Sequence, residues 1–311
     1  YRPWFEKDSC GFGLIAHMDD QPSAWLVNTA VFSLSRLTHR GAIAADGKSG
    51  DGCGLLLKKP HGFFQKIAKQ LKIELRDPYA VGMIFLNRDA KLAKQTRALV
   101  AQQISARGLQ VLTWREVPIN PSACGSQALK TLPRIEQVFV NAGRQMSVQQ
   151  FERELFMAKR LAEKALTDID EMFYIASLSS RLISYKGLIM PAKTPEFFQD
   201  LSDKDFHSSL CVYHQRFSTN TLPQWRLAQP FRFLAHNGEI NTIQGNRNWS
   251  VARAYKFRTA GLPDLEKTFP LVSMTGSDSS SLDNMLEALL AGGMDIFKAM
   301  RLLIPPAWQN V

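Results

Sequence analysis

Residues 80–114 read AVGMIFLNRDAKLAKQTRALVAQQISARGLQVLTW, and the hydrophobic period changes twice within this stretch. Residues 80–86 form a continuous apolar run with the length of a buried strand. Residues 90–106 place Leu92, Leu99 and Ile104 on one helical face, and residues 109–114 return to a strand-like pattern. The stretch therefore predicts a strand, a helix and a second strand in succession.

The same alternation continues along the chain of 311 residues, which has the length of one large domain or two ordinary ones. Strands are predicted over 12–17, 54–57, 80–86, 109–114, 135–140, 173–178, 182–189, 210–214 and 231–235, with 173–178 and 182–189 paired. Helices are predicted over 27–37, 90–106, 147–165, a short segment from 194, 242–257, 282–290 and 296–303. This order of elements predicts a layered α+β or α/β domain.

Charge and composition argue against several classes of protein. The chain has 38 Lys and Arg against 28 Asp and Glu, a formal net charge of +10. The basic residues are scattered, which favours a solvated surface over a nucleic-acid-binding face. No run of about 18 apolar residues is present, and no apolar stretch follows a charged start. We expect no nucleic-acid partner, no membrane contact and a cytoplasmic location.

The four cysteines do not form any C-x-x-C pair; they are Cys10, Cys53, Cys124 and Cys211. This spacing argues against a zinc site or a disulfide framework, so we expect no metal. A lone cysteine in a special setting is the better candidate for chemistry.

Two glycine-containing stretches look like nucleotide-binding motifs in the wrong context. Residues 11–16, GFGLIA, match G-x-G-x-x-A but open a strand-like run instead of a helix. Residues 41–49 end in Gly-Lys-Ser, but the spacing is one residue too long and no strand precedes them. We predict neither a dinucleotide site nor a phosphate loop, and we predict a tight turn over 41–54.

Four dense polar segments are difficult to explain as packing alone. They are 10–13 (CGFG), 214–220 (HQRFSTN), 236–241 (HNGEIN) and 276–281 (GSDSSS). Each has a structural alternative. Cys10 can be a small buried hydrophobe, Asn237-Gly238 a hairpin turn, Asp278 part of a helix cap and Arg216 a surface residue.

In this order, and together with residues 39–41 (HRG) and 51–54 (DGCG), the segments resemble the amino-terminal glutaminase domain of bacterial glutamate synthase large subunits. These domains are class II glutamine amidotransferases with the N-terminal-nucleophile hydrolase fold. The resemblance implies an α+β, four-layer αββα sandwich. It also implies that residues 1–9 are a propeptide or N-terminal extension. Residues 10–311 would then form a glutaminase domain that is incomplete at its C-terminus.

The resemblance also implies catalytic roles for three residues. Cys10 would attack the side-chain amide of L-glutamine and form a thioester, and its freed α-amino group would act as the base. The Asn237 side chain and the Gly238 N–H would bind the oxyanion.

The resemblance further implies substrate contacts. Arg216 would bind the α-carboxylate of glutamine with help from the Thr219 hydroxyl, and Asp278 would bind its α-ammonium. Arg40 would support the site from behind.

In the full enzyme of this family, ammonia passes to a synthase domain of the same chain, where 2-oxoglutarate becomes glutamate. That step implies FMN, a 3Fe-4S cluster and NADPH, the last through an NADPH-oxidising small subunit. We expect none of these cofactors in the present segment. Its cysteines are too few and too scattered for a conventional cluster.

Four other interpretations remain open at this point. One is the glutaminase domain of a class II amidotransferase in a sugar-phosphate or purine pathway, and another is an N-terminal-nucleophile amidase for other amides. A basic nucleic-acid-binding protein and a purely structural module are more remote.

Overall fold

The computed structural model describes residues 11–216 and 222–304, and within them the strands form two antiparallel sheets. The first sheet has the order β1 (Phe12–Ala16), β8 (Leu210–Gln215), β2 (Cys53–Lys58), β7 (Leu182–Gly187). The second has the order β4 (Leu109–Glu116), β5 (Arg134–Ala142), β3 (Tyr79–Leu86), β6 (Tyr174–Ser179).

The α-helices lie between the strands and in a C-terminal group. They are α1 (Ala24–Arg36), α2 (His61–Leu71), α3 (Ala90–Ala106), α4 (Ser126–Lys130), α5 (Val148–Leu166), α6 (Thr194–Phe197), α7 (Ile243–Ala252), α8 (Asp278–Ala291) and α9 (Ile296–Leu303). Side-chain caps begin several of them. Asp89 accepts the Leu92 N–H at the start of α3, and Ser147 forms a capping box with Gln150 at the start of α5.

Two large apolar clusters define the layers. Helices α3 and α5 pack on one face of the second sheet, where Val100 and Leu155 share a cluster with Ile84. The opposite face of that sheet, with Phe85, belongs to a cluster that includes Tyr185 of the first sheet together with residues of α1 and α2. The α+β class is confirmed, and two antiparallel sheets with helices agree with the αββα sandwich.

A buried polar group links the two sheets. Gln137 on β5 donates to the Tyr185 hydroxyl on β7 at 3.1 Å, and that hydroxyl donates to Asp200 at 2.9 Å. Arg115 on β4 donates to both carboxylate oxygens of Asp200, at 2.7 and 2.9 Å. Because each member has a partner, the group fixes the packing of the sheets without leaving an unpaired buried charge.

The predicted pairing of 173–178 with 182–189 is wrong, although both segments contain a strand. β6 pairs with β3 in the second sheet, and β7 pairs with β2 in the first. The Ser184 N–H donates to the Ser177 hydroxyl at 3.1 Å. The short connection is therefore a corner between two sheets, where a side chain takes the place of a main-chain partner.

The predicted strand over 231–235 is also wrong. The Phe231 N–H closes a turn onto the Leu234 carbonyl oxygen, and the Phe233 N–H donates to the Asp283 carboxylate at 2.8 Å. Arg232 is buried and donates to Glu287 at 3.1 Å. The segment is held by side chains of α8, so its alternating pattern reflects burial against a helix.

Several helix predictions also differ from the structure. α2 and α4 were not predicted. α7 ends at Ala252, short of the predicted 257, and α8 begins at Asp278, earlier than the predicted 282. Within the described ranges, none of the helices is both long and apolar enough to cross a membrane.

Candidate functional site

The site begins where the start of β1 meets the end of β8. The Gln215 N–H donates to the Gly11 carbonyl oxygen at 2.6 Å, so the residue that follows Cys10 in the sequence lies against this strand end. A Cβ on Gly11 would come within 2.5 Å of the Gln215 carbonyl oxygen. Only glycine permits this approach of two main chains.

Asn237 lies at the same place, although it is 226 residues from Gly11 in the sequence. Its Oδ1 atom accepts the Gly11 N–H at 3.2 Å and lies 2.6 Å from His214 Nε2. Its Nδ2 atom has a 3.5 Å contact with the Gln215 carbonyl oxygen, which is long for a hydrogen bond. The amide therefore presents its donor end with a weak protein partner, as an oxyanion site requires.

Arg216 is a buried residue at the end of β8, with 7% of its surface exposed, so its interpretation as a surface residue is wrong. Its N–H donates to the Gly52 carbonyl oxygen at 2.8 Å, and its guanidinium lies 3.4 Å from the Asp51 carbonyl oxygen. Burial lowers the pKa of Arg216, and the carboxylates of Asp51 and Asp278 oppose that change. The side chain stays a cation because an arginine pKa lies far above neutral pH.

Asp278 begins α8, directly after the capping residue Ser277. One carboxylate oxygen accepts the Ile240 N–H at 2.8 Å, and the other accepts the Ser279 N–H at 2.7 Å. Asp278 is therefore more than a helix cap, because it ties the helix to the segment that carries Asn237 and Gly238.

Arg40 belongs to a single 3-10 turn, Thr38–Arg40, and a Cβ placed on Gly11 would lie 3.4 Å from Arg40 Cβ. The structure thus places Gly11, Arg40, Arg216, Asn237 and Asp278 in one region. Cys10 and Thr219 lie outside the described residues, so their predicted roles stay predictions.

A turn is present within the predicted range 41–54, where the Gly47 N–H donates to the Ala44 carbonyl oxygen, although β2 already begins at Cys53. It does not have the form of a phosphate loop. Asp46 accepts the main-chain N–H groups of Lys48 and Ser49, and Gly47 has a φ of 68°. Residues 11–16 lead into β1 and not into a helix, as expected for a false dinucleotide motif.

Two residues of the site had no role assigned from the sequence. His214 lies within a motif that was recognised, but nothing in the pattern indicated its contact with Asn237. Gln229 clamps the main chain of His236, because its side chain accepts the His236 N–H at 3.0 Å and donates to the His236 carbonyl oxygen at 3.0 Å. No sequence signal could have indicated this clamp.

A cavity of about 910 Å³ opens beside this segment. Its lining includes His236, Gly238, Trp249 and Leu303, whereas Arg216 and Asp278 do not line it. Gly238 is exposed, and a Cβ added to it would touch only His236 Nδ1, at 3.4 Å, among the described residues. The Gly238 main chain is thus open to an incoming molecule.

Burial lowers the pKa of His214 to about 4 from its ordinary value of 6.5, against the opposing effect of its hydrogen bonds to Asn237 and the His236 carbonyl. The unfolded chain binds this proton at higher pH, so stability falls as the pH drops from about 6.5 towards 4. A shift of this size corresponds to about 3 kcal/mol. We expect His214→Gln to reduce the pH dependence of the thermal unfolding midpoint across this window.

Burial also lowers the pKa of His236, so that residue also makes the stability fall as the pH drops. The comparison is therefore between the wild-type and His214→Gln chains, with the exposed His207→Gln chain as control. If the unfolding midpoint changed equally with pH in all three chains, the assignment to His214 would be contradicted.

Comparison with known protein families identifies the class of enzyme to which this fold and these clustered residues belong. The chain belongs to the family described as glutamine amidotransferases class-II, whose profile matches residues 10–311.

Several proteins similar to this chain are glutamate synthases. The chain is 40% identical to the NADPH glutamate synthase large chain of Bacillus subtilis, over 100% of this chain and 20% of that protein. It is 40% identical to the corresponding large chain of Azospirillum brasilense, over 99% of this chain and 20% of that protein. It is 39% identical to a ferredoxin-dependent glutamate synthase of Arabidopsis thaliana, over 98% of this chain and 19% of that protein.

The chain therefore spans about a fifth of the length of these relatives. It is a class II glutamine amidotransferase domain homologous to the N-terminal region of glutamate synthases. Amidotransferases of sugar-phosphate or purine pathways are not favoured.

Proposed function

We propose that this domain hydrolyses L-glutamine to L-glutamate and ammonia, and that the ammonia serves glutamate synthesis elsewhere in the full-length protein. The observation that carries the proposal is the contact between Gly11 and Asn237, which brings the residue after Cys10 to an amide suited to bind an oxyanion. The family membership supports the same chemistry.

In the proposed reaction, the Cys10 thiolate attacks the γ-carbonyl carbon of glutamine. The resulting oxyanion accepts hydrogen bonds from Asn237 Nδ2 and the Gly238 N–H. Collapse of the intermediate breaks the C–N bond, the nitrogen takes the proton that the Cys10 thiol gave to the base and leaves as ammonia, and a thioester remains. Water then attacks the thioester, releases glutamate and returns the proton to Cys10.

The proposed base is the α-amino group of Cys10, whose pKa near 8 suits proton transfer at neutral pH. This group is an amide nitrogen while Ser9 precedes it, so activity requires removal of residues 1–9. We therefore propose that 1–9 is a propeptide or N-terminal extension and that 10–311 belongs to the glutaminase domain.

We propose that Arg216 binds the α-carboxylate of glutamine, with Thr219 adding a hydroxyl, and that Asp278 binds its α-ammonium. Arg216 is supported by its burial beside Asp51 and by its electrostatic link to Asp278. Arg40 would support the site from its position beside Gly11.

The prediction that tests this assignment concerns Arg216. We expect Arg216→Gln to raise the KM for glutamine by about a hundredfold, since a buried charged hydrogen bond to substrate is lost. A steady-state glutaminase assay on the full-length protein would measure this, with Arg144→Gln, at an exposed arginine, as control. An unchanged KM would refute the carboxylate role.

The cofactors of the proposed full enzyme belong elsewhere in the full-length protein. In residues 11–216 and 222–304, no three His, Cys, Asp or Glu side chains are arranged to hold a metal ion, and the described cysteines are buried and free. This donor set does not fit an iron–sulfur cluster.

We assign FMN, the 3Fe-4S cluster and the 2-oxoglutarate-converting synthase domain to the rest of the protein. We likewise propose NADPH, through a small subunit, as the electron source, supported by the names of two bacterial relatives. The cytoplasmic location stays a prediction.

A further inference from the structure

We propose that His214 is a positioning residue of the oxyanion site: its Nε2–H holds the Oδ1 atom of Asn237, so that the amide NH2 of Asn237 is aimed at the reacting oxygen of glutamine. The inference rests on the proposed glutaminase function and adds a residue to it. His214 would act through Asn237 without touching substrate.

The contacts of the His214 ring fix which nitrogen carries the proton. Nε2 lies 2.6 Å from Asn237 Oδ1 and 3.1 Å from the His236 carbonyl oxygen. Both oxygens can only accept, so Nε2 must be the donor. His214 is fully buried, and its Nδ1 has no hydrogen-bond partner among the described residues. The ring is therefore neutral and donates through Nε2 alone.

The orientation of the Asn237 amide follows from a second donor. The Gly11 N–H also points at Asn237 Oδ1, at 3.2 Å. Turning the amide by half a rotation would set its NH2 group against two N–H donors and lose both hydrogen bonds. His214 and Gly11 thus preorganise the Nδ2 end before substrate arrives.

The same ring nitrogen also supports the main chain next to Asn237. The His236 carbonyl oxygen accepts from His214 Nε2 and from Gln229 Nε2, at 3.1 and 3.0 Å. That carbonyl lies in the stretch that leads to the Gly238 N–H. One histidine therefore helps to place both proposed oxyanion donors.

This role predicts an effect on rate and not on ground-state binding, because oxyanion donors act where charge develops in the transition state. It also distinguishes between two amide replacements. A glutamine at position 214 can place an N–H near the Nε2 position, whereas the shorter asparagine reaches only the Nδ1 position.

The test compares glutaminase kinetics of the full-length protein with His214→Gln, His214→Asn and His214→Phe. We expect the Phe and Asn variants to lose about thirtyfold or more in kcat, with KM for glutamine changed by less than about threefold. We expect the Gln variant to keep kcat within about fivefold of wild type. His207→Phe, at an exposed histidine, is the matched control and should behave as wild type.

The pH profile separates positioning from proton transfer. A positioning role predicts kcat profiles of the same shape for wild type and His214→Gln between about pH 6 and 9. Loss of an ionisation in the Gln variant would overturn the proposal, as would equal loss of kcat in Gln and Asn. Wild-type kcat in the Phe variant would also overturn it. An inactive wild-type protein that begins at Cys10 would overturn the proposed function itself.

Discussion

A chain that begins at Cys10 takes up one equivalent of a glutamine-like diazoketone on that cysteine, and a chain in which residues 1–9 still precede Cys10 takes up none. This is the expected result if the α-amino group is the base, since an ordinary thiol with a pKa of about 8.5 carries little thiolate at neutral pH. Intact-mass measurement of the two full-length forms would show the adduct directly.

L-glutamine should protect the shorter chain, and Cys10→Ala should remain unlabelled in either form. Labelling of both chains would show that the free amine is dispensable and that the base is another group. If neither chain is labelled while both are folded, the glutaminase assignment fails at its first step.

Asn237→Ala lowers kcat for glutamine hydrolysis by about a hundredfold or more, with a small change in KM, because loss of one oxyanion donor has an effect of this size. The alanine also removes the acceptor for Gly11 and His214. Asn237→Asp is the matched variant, since it keeps an oxygen for these two donors but replaces the NH2 donor with an oxygen that only accepts and is negatively charged when ionised.

Both variants should therefore lose kcat in a steady-state assay, and the loss in Asn237→Asp should be at least as large because its carboxylate repels the oxyanion. If Asn237→Asp retained wild-type kcat, the structural contacts of the side chain would matter and its donor would not. A loss confined to KM would place Asn237 in substrate binding.

The helices were predictable where the hydrophobic period and the N-terminal capping residue agree. Ala90–Ala106 and Ile296–Leu303 form helices over the predicted bounds, since an apolar stripe and an aspartate cap occur together in each. The strand pairing of 173–178 with 182–189 failed because proximity in sequence favours a hairpin, whereas packing of whole sheets separated β6 from β7. The prediction of a strand over 231–235 failed because packing against a buried helix produces the same alternation of buried and exposed residues as a sheet.

The members of the site were predictable only through the family resemblance. Asn237 and Gly11 are 226 residues apart, and no pattern of spacing brings them together. The contact from His214 to Asn237 depends on how β8 ends and on how the loop after Gln229 returns to it. These contacts depend on the assembled sheet, so they cannot be predicted from a single sequence without the family resemblance.

The hydrogen bond from the Ile240 N–H to Asp278 has a consequence for selectivity. If Asp278 also binds the α-ammonium of glutamine, one carboxylate serves both the recognition of the amino acid and the alignment of the loop that carries Asn237 and Gly238. The two ends of the substrate are then coupled through a single side chain. An amide without an α-ammonium would be bound weakly and also turned over slowly, which protects the other amides of the cell from hydrolysis.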